Sequence, residues 1–447
     1  MILGIGLGPD GAFWGCLMIG RKFASLVGLA MAAVLVLVGC GTSSTAGKGT
    51  VHILAVWSGA EQDSFKAVIA PFEASTGIKV QYESTRDVDA LLQTRLAAGN
   101  PPEIASLPSP STLTKLAGQG KLVQLDNGIL DMTTFNAQYA PGWIDLGKVN
   151  GKLYEIFAWA AVKGLVWYNP TKFTAKGYQV PTNWQDLMTL SSTIKSGGTT
   201  PWCMAVESGA ASGWAGSDWV KEIVLSQAGP DVYNSWWQGK TKWTDPAIKA
   251  AWQTWGTVLG PNNSNVYGGK NYILSTNFAN GGDPMFKNPP KCYMHNQASF
   301  ITDNFVKQDK AVPGTDFKFF PLPDVNAQYA GAHVGAGDAF SMLKDTPQAR
   351  QLIKYLTTPD AQAIWVKRGG KLSPNKTFDL ANYPDDITKQ VAQVMTGAKI
   401  FAFDAGDLMP TTMRDAYWAA VLSFVADQSK LDSILAHLDS VQATAYK

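Results

Sequence analysis

The residues of this chain that could do chemistry point to recognition without covalent steps. Its four histidines, at 52, 295, 333 and 437, supply no HExxH pair. GxSxG and Walker A motifs are absent, and Gly47-Lys48 is followed by Gly49. Ser192-Thr193-Ile194-Lys195 fits SxxK, yet no Lys-Thr-Gly accompanies it. What recurs is a grouping of ring, hydroxyl, carboxylate and guanidinium just past short apolar runs: Trp57-Ser58 with Glu61, Arg86-Asp87, and Ser106 to Ser109. Rings stack on apolar ligand faces such as the CH side of a sugar, while carboxylates and Arg hold hydroxyls in bidentate fashion. A secreted carbohydrate hydrolase stays open as the alternative, because it needs only two well-placed carboxylates.

The cysteines set the compartment. Cys40 closes Leu37-Val38-Gly39-Cys40, behind the basic Arg21-Lys22 and the uncharged stretch 23–38. That is a bacterial lipobox: residues 1–39 read as a signal peptide, with Met18 the better start, and Cys40 as the lipidated first residue. The apolar stretch has 16 residues, short of the roughly 20 that cross a bilayer. Residues 40–48 read as a flexible tether. The protein is thus expected outside the cytoplasm, held to the cell membrane by acyl chains. Cys203 and Cys292 remain as an even pair in an oxidising compartment, which predicts a disulfide. Two Cys and scattered His lack the spacing of a metal site, so no metal or cofactor is expected.

Composition narrows the partners. Without Arg21, Lys22 and Asp10 the chain carries 35 basic against 34 acidic residues, with no long run of like charge. A nucleic-acid surface would need a concentrated basic stripe. About 400 residues exceed one core, so two lobes are expected. Eleven of the 16 Trp lie between Trp159 and Trp255. Most of these should fill a core.

The elements that must position these groups alternate. Residues 51–57 read as a buried strand, and Phe65, Val68, Ile69 and Phe72 mark one face of a helix ending at Gly77. Residues 78–82 alternate as a second strand, 91–98 are helical, and 103–106 form a short third strand. This pattern argues for an open parallel α/β sheet whose ligand sits at the carboxyl ends of the strands. Residues 157–169 form another apolar run, interrupted by Lys163. Residues 171–310 read as mostly helical, 317–323 as a strand, and 347–355, 359–368 and most of 408–446 as helices.

These landmarks resemble the family 1 extracellular solute-binding proteins of ABC sugar importers, over nearly all of residues 50–447. Phe72-Glu73-Ala74-Ser75-Thr76-Gly77-Ile78-Lys79-Val80 is similar to the family's first helix-to-strand signature, and Gly99-Asn100-Pro101-Pro102-Glu103-Ile104 to its next loop. Leu116 to Leu122 and Val166-Trp167-Tyr168-Asn169 follow in order. Leu408-Met409-Pro410 with Ala416-Tyr417-Trp418 resembles the late segment of maltose-binding proteins. Within the family, Trp214 to Trp219, Pro289 to Phe300 and Asp404 to Pro410 look like α-glucoside-binding members. Gly335-Ala336-Gly337-Asp338 is close to that group's Gly-Gly-Gly-Asp, with Ala336 departing.

The resemblance implies two α/β lobes of the maltose-binding-protein type, joined by three hinge crossings around a ligand cleft. Lobe one would comprise 49–160 and 313–360, and lobe two 161–312 and 361–447. It implies a monomer that captures a small sugar and presents it to permease subunits, without catalysis. The ligand contacts it implies are Trp57, Ser58, Glu61, Arg86, Asp87 and Ser106 at the strand ends. In lobe two and the crossings they are Lys163, Trp214, Asp218, His295, Gln297, Asp338, Asp407, Arg414 and Trp418. The family usually places an acidic contact where Lys163 stands.

Overall fold

The computed structural model describes residues 49–107 and 110–447. The expected leader, Cys40, the tether and Ser109 lie outside the described residues. Twelve strands form among those that are described: β1 (Gly49–Ala55), β2 (Ile78–Ser84), β3 (Ile104–Ala105), β4 (Lys148–Val149), β5 (Lys152–Leu153) and β6 (Glu155–Val162). They continue with β7 (Leu165–Tyr168), β8 (Thr200–Cys203), β9 (Cys292–Asn296), β10 (Lys318–Pro321), β11 (Ala332–Met342) and β12 (Ile400–Phe403). One sheet runs β12-β11-β3-β1-β2, with β6 paired to β11, and a second runs β10-β7-β9-β8. β4 and β5 make a small ribbon of their own.

The first sheet is mixed rather than parallel. β1 pairs in parallel with β2 and β3, as alternation with helices demands. β11 then enters antiparallel to both β3 and β6. Asp338 lies inside β11, at a register shift against β6.

Local chemistry explains the first unit. In the helix Gly59–Thr76, Phe65, Val68, Ile69 and Phe72 are buried on one face, and Gly77 ends it in the left-handed conformation (φ 72°). A residue without Cβ adopts that conformation at the least cost. The helix Val88–Ala97 is capped by the Asp87 side chain, which accepts from the Ala90 N–H.

The apolar run 157–169 is two strands, not one. It breaks at Lys163-Gly164, and β6 and β7 belong to different sheets. Gly164 has φ +60°, and a Cβ there would fall 2.3 Å from the Glu222 carboxylate oxygen. Two further crossings join the sheets, between β10 and β11 and just after β12. The crossings lie side by side. Lys163 N–H donates to the Val334 carbonyl (2.8 Å), Leu322 N–H to Gly164 (2.7 Å) and Asp404 N–H to Gly335 (2.8 Å).

Two large cores result. Val51, Ile53, Phe65, Trp159 and Phe340 build one. Trp219, Trp236, Trp252, Trp255 and Phe424 build the other, so the tryptophan-rich stretch is mainly structural. The expected division at 360/361 is displaced: Trp365, Leu372, Ile387 and Val391 pack in the first core. Helix Pro359–Val366 rests on helix Gly59–Thr76, so its apolar face is used there. The chain joins the second core after β12, through Ala405, Met413, Tyr417 and Val421. The earlier return likewise comes after β10, because residues 318–321 still pair with β7.

Cys203 ends β8 and Cys292 begins β9, and the two are disulfide-bonded with their Cα atoms 5.5 Å apart.

Candidate ligand-binding site

The loops that leave β1, β2 and β3 all reach one cavity of about 200 Å³. Val56, Arg86 and Ser106 come from these ends, and Glu61 from the first turn of the helix that follows β1. Carboxyl-end loops gather because parallel strands point their ends the same way. Residues packed with the other sheet close the cavity: Trp214, Phe278, Asp407, Arg414 and Trp418.

Its charged groups are paired into networks. Lys163 Nζ stands 2.9 Å from Asp218 and 3.4 Å from Asp404. Lys221 Nζ stands 2.7 Å from Asp218 and 2.5 Å from Asp404. All four side chains are at most 7% exposed. Burial disfavours each lysine's charge, yet Asp218 and Asp404 overcome it, so both lysine pKa values are raised. Burial pushes the Asp404 carboxyl up, but the ammonium groups of Lys221 and Lys163 hold it below the usual range.

On the first-sheet side, Lys371 Nζ bonds Asp338 at 2.7 Å and reaches Glu61 at 3.5 Å. Arg86 lies 3.7 Å from Glu61. Arg414 bridges to Asp89 at 2.9 Å, 325 residues away in sequence. Thr411 stands beside it, with its hydroxyl 3.4 Å from Asp89. Each aromatic wall carries a cation: Lys163 lies 4.8 Å from the Trp214 ring centre, Arg86 5.1 Å from Phe278, Lys371 5.4 Å from Phe300, and Arg414 4.6 Å from Trp418. Trp214, Phe300 and Trp418 keep partly exposed rings.

Eleven of the fifteen expected contacts line this cavity: Trp57, Glu61, Arg86, Asp87, Ser106, Lys163, Trp214, Asp338, Asp407, Arg414 and Trp418. Trp57 does so without offering a platform. It is 1% exposed, packs among Phe65, Phe340 and Trp365, and its Nε1 donates to Asp338 at 3.3 Å. It therefore orients Asp338.

The other four lie elsewhere. Ser58 opens onto an adjoining recess with Asn280 and Asn304. Asp218 sits behind the cavity as the partner of both lysines. His295 is buried in β9 with Nδ1 3.0 Å from the Cys203 carbonyl, and burial lowers its pKa to about 4. Gln297 is buried and accepts from the Ala298 N–H. Neither lines the cavity.

Lys221, Lys371, Asp404, Asp89, Phe278 and Phe300 also line it, and sequence reasoning missed them. For Lys221 a signal existed in the i,i+3 spacing from Asp218 on helix Trp214–Ala228. Lys371, behind Gly369-Gly370, gave none.

A two-lobed α/β frame with a polar, aromatic cleft between its cores defines a solute receptor. The model of the bacterial extracellular solute-binding protein family matches residues 57–363, and the chain belongs to that family, whose members are binding proteins and not enzymes. The osmoprotective compounds-binding protein GgtB of Synechocystis sp. is 36% identical over 397 residues, covering 88% of this chain and 93% of that protein. The alpha-glucosides-binding periplasmic protein AglE of Rhizobium meliloti is 33% identical over 389 residues, covering 86% of this chain and 85% of that protein. Among solved structures, a chitin oligosaccharide binding protein superposes with a TM-score of 0.78 at 19% identity, over 89% of this chain and 99% of that one. Maltose-bound MalE3 of T. maritima gives 0.67 at 17% identity, over 88% and 99%. These likenesses show the two-lobed fold.

Proposed function

We propose that this chain is the substrate-capturing component of an ABC carbohydrate importer, binding a small α-glucoside in the cavity and delivering it to the permease. The observation that carries this reading is the pairing of partly exposed rings, Trp214, Phe300 and Trp418, with carboxylates and cations in one small cleft. Rings meet the apolar faces of a sugar and charged groups hold its hydroxyls. The names of the relatives from Synechocystis and Rhizobium, which refer to osmoprotective compounds and α-glucosides, favour that ligand class. The sequence of residues 37–40 supports a lipid anchor on Cys40, which would raise the local concentration of the receptor at its permease.

Calorimetry and thermal-shift screening of residues 41–447 against maltose, trehalose and sucrose test the reading. Stoichiometric binding without product supports it. Turnover would favour a hydrolase, and absence of binding by any saccharide would remove the sugar assignment. Trp418→Ala should leave the melting temperature nearly unchanged and weaken binding by roughly tenfold or more, from the loss of about 1.5 kcal/mol of stacking. Cys40→Ser should move the protein from the membrane fraction to the soluble fraction of the cell, and retention at the membrane would refute the anchor.

A further inference from the structure

Every charged residue at the cavity wall but one has its side chain engaged. Glu61, Asp338 and Lys371 hold one another, Asp89 holds Arg414, and Asp87 caps its helix. Lys163, Lys221 and Asp404 share the buried network. Asp407 is the exception: among the described residues its carboxyl makes no hydrogen bond or ion pair, although its own N–H donates to Asp404 at 3.3 Å. It stands partly exposed on the short helix Ala405–Leu408, where the last crossing enters the cleft.

We propose that Asp407 is the cleft's free acceptor, that it takes hydroxyl hydrogen bonds from the bound ligand as a carboxylate, and that ligand capture therefore releases a proton from it to solvent. This rests on the carbohydrate reading given above. Chemistry favours the ionised form in the complex, because O–H···O⁻ bonds are about twice as strong as neutral ones. The surroundings of the empty cleft raise the proton affinity of this carboxyl. Burial and the neighbouring Asp404 carboxylate raise the Asp407 pKa to about 7, against the opposing charges of Lys221, Lys163 and Arg414.

The other charged groups on the elements packed against Asp407 are held or exposed: Asp415 by Arg414, Asp218 by both lysines, Glu222 by the Val334 N–H, and Asp231 at the surface. Helix Pro230–Trp237 contributes Tyr233, whose hydroxyl accepts from the Ala405 N–H. Segment 110–118 carries one charged residue, Lys115, which is exposed. β12 carries none. The Asp89 carboxylate is held by Arg414.

The sign follows from linkage. A ligand that lowers the pKa of Asp407 binds more tightly as pH rises through the window between the bound and free values, and its affinity is flat outside it. Affinity should rise roughly tenfold for each unit by which the ligand lowers that pKa. Near neutral pH a fraction of a proton should leave per ligand bound. The test is titration calorimetry with whichever of maltose, trehalose and sucrose binds best, from pH 5 to 9, in buffers of different ionisation enthalpy. Proton release and an affinity that climbs with pH support the inference, provided that Asp407→Asn abolishes both and Asp407→Glu keeps proton release.

Sugar binding without proton release overturns the inference and leaves the receptor reading intact. Release that persists in Asp407→Asn assigns the proton to another group and also overturns it. Binding of none of the three sugars overturns both. Absence of release in the wild type overturns the inference without any variant, and if Asp407→Asn fails to fold, Asp407→Ser is read in its place by the same criterion.

Discussion

Lys221→Ala should cost about 3–5 kcal/mol of unfolding free energy, the loss expected when a buried ion network loses one partner. Its ammonium lies 2.7 Å from Asp218 and 2.5 Å from Asp404, at 3% exposure. Without it, two carboxylates only 4% and 1% exposed must share Lys163 alone. Coulomb attraction cannot then repay their desolvation. Denaturant unfolding at pH 7 reads the effect, and a loss below 1 kcal/mol would show that the network is not energetically closed.

Acid should narrow the gap between variant and wild type. The lysines hold the folded pKa of Asp404 low. The stability this brings is present above the unfolded carboxylate range, near pH 4, and is lost as pH falls through the lower folded value. The variant lacks that stability from the outset, so its deficit shrinks as the medium is acidified. The exposed pair Lys389–Asp386, at 3.4 Å, is the control; truncating it should change stability by less than about 0.5 kcal/mol.

Replacing both Cys203 and Cys292 by Ser should cost about 4 kcal/mol, because their bond closes a loop across 89 positions and restricts the unfolded chain. That loop carries the helices Trp214–Ala228 and Pro246–Leu259, and with them much of the second core. The packing of Trp219, Trp252 and Trp255 remains in the variant, so folding should survive at moderate temperature. Neither cysteine lines the cavity, so sugar affinity should hold while the denaturation midpoint falls. An unchanged midpoint would mean that the second core alone fixes this segment.

The legible part of the sequence was the part with short-range causes. Phe65, Val68, Ile69 and Phe72 announce their helix because the apolar period and Gly77 are local. Strand ends 57, 86 and 106 could be assigned to one cavity because parallel strands bring their carboxyl ends together. β8, β9 and β12 were hidden. β8 and β9 are short segments within a helix-rich stretch, and all three gain their pairing from distant strands. The same distance hid the charge networks. Lys163 reads as an interruption in an apolar run, until Asp218 and Asp404 arrive from 55 and 241 positions away to neutralise it. Trp57 reads as a platform because its burial depends on Trp365 and Phe340. Asp404 and Asp407 stand in one short turn, and sequence alone does not show which carboxyl the lysines claim.

The three chain crossings have a mechanical consequence. Hydrogen bonds join Lys163 to Val334, Gly164 to Leu322, and Gly335 to Asp404, so the crossings form one ribbon and not three independent wires. A ribbon bends easily about an axis across its face and resists twist and shear, which would break those bonds. Any opening of the cleft is thereby reduced to a single coordinate, and one distance across its mouth, such as that between labels near Asp89 and Arg414, should suffice to follow it.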